Sequence, residues 1–256
     1  MTWEQNVVVK SSPELALMRE AGRVNALALA AVKELIRPGV TTADLDAAAA
    51  EVIQRNGGKA VFKGYPGAYP YPATICASVN DELVHGIPGK RKLKEGDIIS
   101  IDCGTLLEGF VGDSAFTAGV GDISPIAKKL LEVTEKSLYI GIEKMRAGNR
   151  SGDISAAIQQ FVESQGFYVT REYTGHGVGR KMHEGPQVPN YGSPGRGTLL
   201  RPGMTIALEP MVLVGTPRTR VLADQWTVVS ADGSLTAHFE HSVAVTDGDP
   251  WILTVP

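Results

Sequence analysis

The chain repeats itself. At an offset of 109 residues Arg37 falls on Arg146, Gly39 on Gly148 and Asp44 on Asp153, with Ala47 and Ala48 on Ala156 and Ala157, and Gly57 on Gly166. At an offset of 107, "LKEGDIISID" (Leu93 to Asp102) lies over "LRPGMTIALE" (Leu200 to Glu209). Helix–strand proteins share some of this grammar, but their chance coincidences do not keep one order and one spacing. The repeat predicts two copies of a helix–helix–strand unit, each delivering a carboxylate at a strand end, with Asp102 and Glu209 facing one shared cleft. No linker-like stretch separates the copies. Residues 1–256 are therefore expected to form a single domain with halves of about 1–120 and 121–256, an ordinary size for one large α/β unit.

Local signals agree. "SSPELALMREAGRVNALALAAVKELIRPG" predicts a helix with Ser12 as N-cap, Pro13 at the first helical position and Gly39 beyond the end. "TTADLDAAAAEVIQRNGG" predicts a second, capped at Thr41 or Thr42 and stopped at Gly57 and Gly58. "PATICASVND" and "GDIISIDCG" read as strands. Ser124 and Pro125 open a third helix running to about Met145, and "SGDISAAIQQFVESQG" makes a fourth. "FYVT" and "GMTIALEPMVLV" follow as strands, and the tail "QWTVVSADGSLTAHFEHSVAVT" reads as a hairpin turning at Asp232 and Gly233.

Composition matters here for what it excludes. A net charge of −3 with 43% hydrophobic residues carries no basic excess for nucleic acid and no polybasic run for a membrane surface. The N-terminus, with Trp3 and Glu4, has no apolar core of signal-peptide length, and no run of 18 apolar residues occurs. Two cysteines, Cys76 and Cys103, make no disulfide framework and suit a reducing cytoplasm.

Chemistry concentrates in acids placed among apolar residues. Alternation along "DIISIDCG" puts Asp102 on one face with Ser100 and Ile98, and Ile99, Ile101 and Cys103 on the other. Asp113 lies in "FVGDSAF", Glu209 ends "MTIALEP" and Glu240 interrupts "TAHFEHSVAV". Each alone could be a turn, a cap or a salt bridge. Four together repel unless a cation sits between them, because burying a carboxylate is costly without a partner. "TGHGVGRKMHEGP" adds His176 and His183 among four glycines, where the backbone can come close to something. Four carboxylates and a neutral imidazole match the charge of two divalent ions, which hydrolytic centres use to acidify a water to a pKa of about 7. Oxygen-rich ligation without thiolate favours cobalt, manganese, iron or zinc. A phosphate-loop reading of the glycines fails, since no Lys-Ser or Lys-Thr follows and no βαβ unit frames them.

As a set, "VNDELVHGIP", "IISIDCG", "VGDSAF", "YTGHGVGRKMHEGP", "TIALEPM" and "HFEHSVAVT" resemble the type I methionine aminopeptidases, metal-dependent peptidases of the α+β pita-bread fold. The spacing of Asp102, Asp113, His176, Glu209 and Glu240, at intervals of 11, 63, 33 and 31 residues, is similar to that family's across essentially the whole chain. The resemblance implies that these five are the metal ligands, with Asp113 and Glu240 bridging two divalent ions and Glu209 also shuttling the proton of the attacking water. It implies that His85 helps the departing amide and that His183 bonds the scissile carbonyl. Tyr71, Cys76, Met182 and Trp226 resemble the methionine pocket, although Met182 stands where many relatives carry an aromatic and the Tyr65–Tyr71 segment aligns loosely. Asn80 and Thr236 resemble a monovalent-cation site. The implied activity is removal of the N-terminal methionine of nascent peptides when the second residue is small, by a cytoplasmic monomer working near the ribosomal exit tunnel.

Among the remaining histidines, His238 is expected to be exposed or a packing residue. His241 should face away from Glu240. Rival readings are a prolidase or aminopeptidase P, which usually carry a further N-terminal domain, a pita-bread module that only binds protein, and an unrelated amidohydrolase. The sequence shows neither the zinc-finger extension of some relatives nor the helical insertion of type II enzymes, so a minimal bacterial-type enzyme is expected.

Overall fold

A computed structural model of the protein describes residues 6–256; Trp3 and Glu4 lie outside the described residues. Four long helices stand where the sequence places them: α1 Ser12–Leu35, α2 Thr42–Arg55, α3 Pro125–Glu143 and α4 Ser151–Ser164. Their starts are chemically specified. Ser11, rather than Ser12, caps α1 in a capping box with Glu14, which shifts Pro13 into the first turn. Thr41 caps α2 in a box with Asp44, and Ser124 caps α3 by accepting from the Ala127 N–H.

The helices lie against a nine-stranded antiparallel sheet. At its centre Phe110–Gly119 pairs with Glu240–Ala244. Outward from that junction, one side continues through Ile98–Leu107 to Ile75–Val79, and the other through Thr205–Leu208 to Thr174–Gly177. The two repeated sequences, each ending in a carboxylate, thus hold equivalent places about the central pair. Ile98–Leu107 and Phe110–Gly119 form a tight hairpin through Glu108 and Gly109, both at positive φ, the geometry a two-residue turn requires. Gly22 and Gly112 let α1 lie on this hairpin without standing off, because a Cβ on Gly112 would come within 2.6 Å of the Gly22 backbone.

Two expected continuities break. "GMTIALEPMVLV" is two strands, Thr205–Leu208 in the central sheet and Met211–Leu213 in a three-stranded sheet with Thr236–His238 and Tyr168–Val169. Pro210 cannot donate to a ladder, so the strand leaves the central sheet at Glu209. The tail is not a hairpin either. The turn at Asp232 and Gly233 exists, closed by the Ser230 hydroxyl on Asp232, with Gly233 at φ 75°. Val228–Ser230, however, pairs with Thr219–Val221 and Glu82–Val84, while Thr236–His238 pairs with Met211–Leu213. No helix among the described residues is long and apolar enough to cross a membrane.

Candidate active site

Strand register brings four of the five predicted ligands to one face, and the fifth, Glu209, follows directly after its strand. In an antiparallel sheet, directly opposed residues point the same way. Asp102 and Glu240 both oppose Ala115, from the strands on either side of it. Asp113 is two residues before Ala115 and shares its face. Ser242, two residues after Glu240, opposes Ala207, which opposes His176 on its other side. Glu209 is two residues beyond Ala207. The reverse face carries Ser114 and His241, opposed to one another. There His241 Nδ1 lies 2.8 Å from the Thr254 hydroxyl, so it faces away from the acids as expected.

The shared face opens into a cavity of about 150 Å³ lined by Asp102, Asp113, His176, Glu209 and Glu240, with His85, His183, Tyr71, Cys76, Met182 and Trp226. Phe62 and Tyr65 line it as well; both sit on the irregular segment after α2 and were not anticipated. Trp226 anchors the apolar wall, its ring 5.1 Å from Tyr71 and 6.4 Å from His85 in edge-to-face contact. The Tyr65 hydroxyl lies 2.7 Å from Nδ1 of His183, whose ring tilts against His176 at 4.3 Å.

Asp113 and Glu240 are buried, Asp102 and Glu209 are partly so, and the group is short of donors. Asp102 Oδ1, Asp113 Oδ1 and Glu240 Oε1 have no hydrogen-bond partner, an arrangement proteins avoid unless a cation or water completes it. Burial, then repulsion from neighbouring carboxylates, pushes Asp113, Glu209 and Glu240 well above the usual range. Burial alone pushes Asp102 up to about 7. His176 turns Nδ1 to the Gly177 carbonyl at 3.0 Å, which leaves the Nε2 lone pair for the acids. Its Nε2 stands 3.7 Å from Asp113 and 3.5 Å from Glu209, long for hydrogen bonds and right for atoms sharing an ion. Ligand atoms of Asp113, His176 and Glu240 all lie within 4.8 Å of one another. This donor set fits divalent cations.

Residues 16–247 match the model of metallopeptidase family M24. The chain is 52% identical over 248 residues to methionine aminopeptidase 1 of Bacillus subtilis, covering 97% of this chain and 99% of that one. The methionine aminopeptidase of Clostridium perfringens is 51% identical over 249 residues, with the same two shares covered. This chain belongs to the type I methionine aminopeptidases of family M24. The crystal structure of the methionine aminopeptidase from Thermotoga maritima superposes with a TM-score of 0.95 at 46% identity, covering 98% of this chain and all of that one. The expected α+β pita-bread architecture is therefore the observed one. A prolidase from Pyrococcus furiosus, at 20% identity and a TM-score of 0.78, shares the fold alone; this chain spans 66% of its length.

Within that family fold, two expectations need correcting. The glycines of "TGHGVG" do not make room for a ligand. A Cβ on Gly175 would meet the carbonyls of Ala207 and Val188, one on Gly177 that of Gly185, and one on Gly179 the Lys10 side chain; they let the protein's own chain close in. His238, expected to be exposed or a packing residue, is buried rather than exposed and lies beside the acids. It is 1% exposed, and its Nε2 stands 3.6 Å from Glu209 Oε2 and 3.8 Å from Glu240 Oε2. No strand pattern signalled this, because His238 ends one strand and Glu240 begins another in a different sheet. Asn80 and Thr236 meet away from the cavity, where the Asn80 carbonyl accepts from both the backbone N–H and the hydroxyl of Thr236.

Proposed function

We propose that this single catalytic domain of two repeated halves removes the initiator methionine from nascent chains whose second residue is small, using two divalent cations held by Asp102, Asp113, His176, Glu209 and Glu240. Asp113 and Glu240, central in the row of acids, would contribute to holding both cations. The observation that carries this reading is the convergence of four carboxylates, three of them with an oxygen that no hydrogen bond satisfies, and His176 in one aromatic-walled cavity. When bound, the cations supply Lewis acidity and bring a water's pKa toward neutrality; cobalt, manganese, iron and zinc all suit these ligands.

The side chains do the rest. Glu209 takes the proton from the attacking water and returns it to the departing amine, a role suited to a carboxyl whose burial raises its pKa. His183 donates from Nε2 to the scissile carbonyl and to the charge that grows on it. His85, held neutral by burial with a pKa of about 4, donates to the leaving amide nitrogen. Tyr71, Cys76, Met182 and Trp226 surround the thioether of methionine in apolar, polarisable company. The acids hold the free α-ammonium, so blocked N-termini are excluded.

The same reading places the enzyme in the cytoplasm as a monomer acting near the ribosomal exit tunnel, and seats a monovalent cation at the Asn80 and Thr236 oxygens. The test is a panel of Met-X-Ser and X-Ala-Ser peptides with the released amino acid quantified. Gly, Ala, Ser, Thr, Cys, Pro and Val are expected to be accepted after methionine, and Lys, Leu and Phe refused. Efficient cleavage of X-Pro peptides whose first residue is unlike methionine would move the activity to the aminopeptidase P class.

A further inference from the structure

His238 has been given no work so far, yet its surroundings are those of a working residue. Its backbone is pinned: the N–H donates to the Thr117 hydroxyl at 2.9 Å and the carbonyl accepts from that hydroxyl at 2.8 Å. Thr117 is itself 2.8 Å from the Ser100 hydroxyl. His238 also ends its strand opposite Met211, two residues beyond Glu209, where the neighbouring strand leaves the central sheet. Both chains thus change sheets at the same place, and the imidazole is aimed at the carboxylate lying in the gap.

The two oxygens of Glu209 are faced by different histidines. Oε1 lies 3.5 Å from Nε2 of His176, and Oε2 lies 3.6 Å from Nε2 of His238. His238 Nε2 is buried and has no hydrogen-bond partner, which a packing role would leave unexplained. A ligand role fits less well. His238 does not line the cavity, whereas all five predicted ligands do.

We propose that His238 is a positioning residue for Glu209: its Nε2–H donates to Glu209 Oε2 and so turns Oε1 toward His176 and the cavity. The contact closes by a few tenths of an ångström into a charge-assisted hydrogen bond when the carboxylate is ionised. The proposal rests on the role given to Glu209 above.

The experiment uses the metal-loaded protein. His238→Leu removes the donor, His238→Gln keeps an N–H at the same reach, and Glu209→Gln tests the residue acted upon. His238→Leu is expected to lower kcat by about ten- to a hundred-fold, the range for losing a bond that orients a charged ligand, with KM little changed. His238→Gln is expected to restore most of the loss. In the zinc-loaded wild-type protein, 15N-histidine spectra should show His238 protonated at Nε2. A wild-type kcat in His238→Leu beside an inactive Glu209→Gln overturns this inference and leaves the role of Glu209 standing. A metal-bound Nε2 signal for His238 overturns it in favour of ligation. Full activity in Glu209→Gln removes the role of Glu209 and this inference with it.

Discussion

Asp102 and Glu240 stand opposite the same residue, Ala115, on the two strands that flank it. One comes from the first half of the chain and one from the last strand pairing of the second. A row that places two acids on one face, with buried Asp113 two residues along the middle strand, is stable only when those acids are neutral or share cations.

That arrangement sets the pH response of metal-stripped protein. Asp102 at about 7, and Asp113, Glu209 and Glu240 above their usual range, bind protons in the folded state that the unfolded chain has lost. Their contribution to stability is present below the unfolded values of about 4 and lost as pH rises through the folded ones. His85 and His241 at about 4, and His176 and His238 at about 3, act oppositely. Their contribution is present above about pH 6.5 and lost on acidification. The two sets offset one another between these limits, and just above neutrality the carboxyls are the members of this cluster that still change. Thermal unfolding should therefore show stripped protein losing stability from about pH 6.5 to 8.5 while loaded protein does not. Parallel curves would contradict it.

The substrate-facing histidines should separate cleanly from the ligands. Changing His85 or His183 to Ala is expected to leave metal content unchanged while kcat/KM falls by about 10²–10⁴. Loss of metal from either variant, measured by atomic emission, would place that histidine in the metal centre instead.

A buried ion pair secures the segment that carries His183. Lys10 Nζ lies 2.6 Å from Glu184 Oε2, with side chains 2% and 4% exposed, and Glu184 also accepts from the Lys181 N–H. Lys10→Met leaves Glu184 charged and alone, which costs about 3–5 kcal/mol. Removing both charges in Lys10→Met with Glu184→Leu should cost markedly less. Urea unfolding of the two variants decides it, equal losses being the contrary result.

The pocket wall depends on a glycine. A Cβ on Gly67 would sit inside van der Waals distance of the Trp226 ring, so Gly67→Ala must displace the indole. KM for Met-Ala-Ser is expected to rise about tenfold, ~1.4 kcal/mol, with metal content intact. An unchanged KM would mean that the segment around Tyr65 and Tyr71 does not set the pocket.

Much of this was legible in the residues. Ser124 and Thr41 announced their helices because a side-chain oxygen at an N-cap meets an otherwise unpaired N–H. Alternation assigned Asp102 to the working face and Cys103 to the core, where it packs with Ile99 and Ile101. What stayed hidden depended on which sheet a strand joins. Glu209 closes its strand as expected, but the residues after Pro210 read as a continuation and instead join another sheet, and the same passage brings His238 to Glu209. Tyr65 and Phe62 reach the cavity from an irregular segment with no periodicity to read.

The most direct measurement is metal content and turnover on the same samples. Protein stripped by chelation should release no methionine from Met-Ala-Ser, then regain activity as a divalent ion is added back, reaching two ions per chain in proportion to turnover. Asp113→Ala and Glu240→Ala should bind less metal and stay inactive, because losing a shared carboxylate leaves both ions short of ligands. Full turnover by the stripped protein, or by Asp113→Ala, would contradict the account.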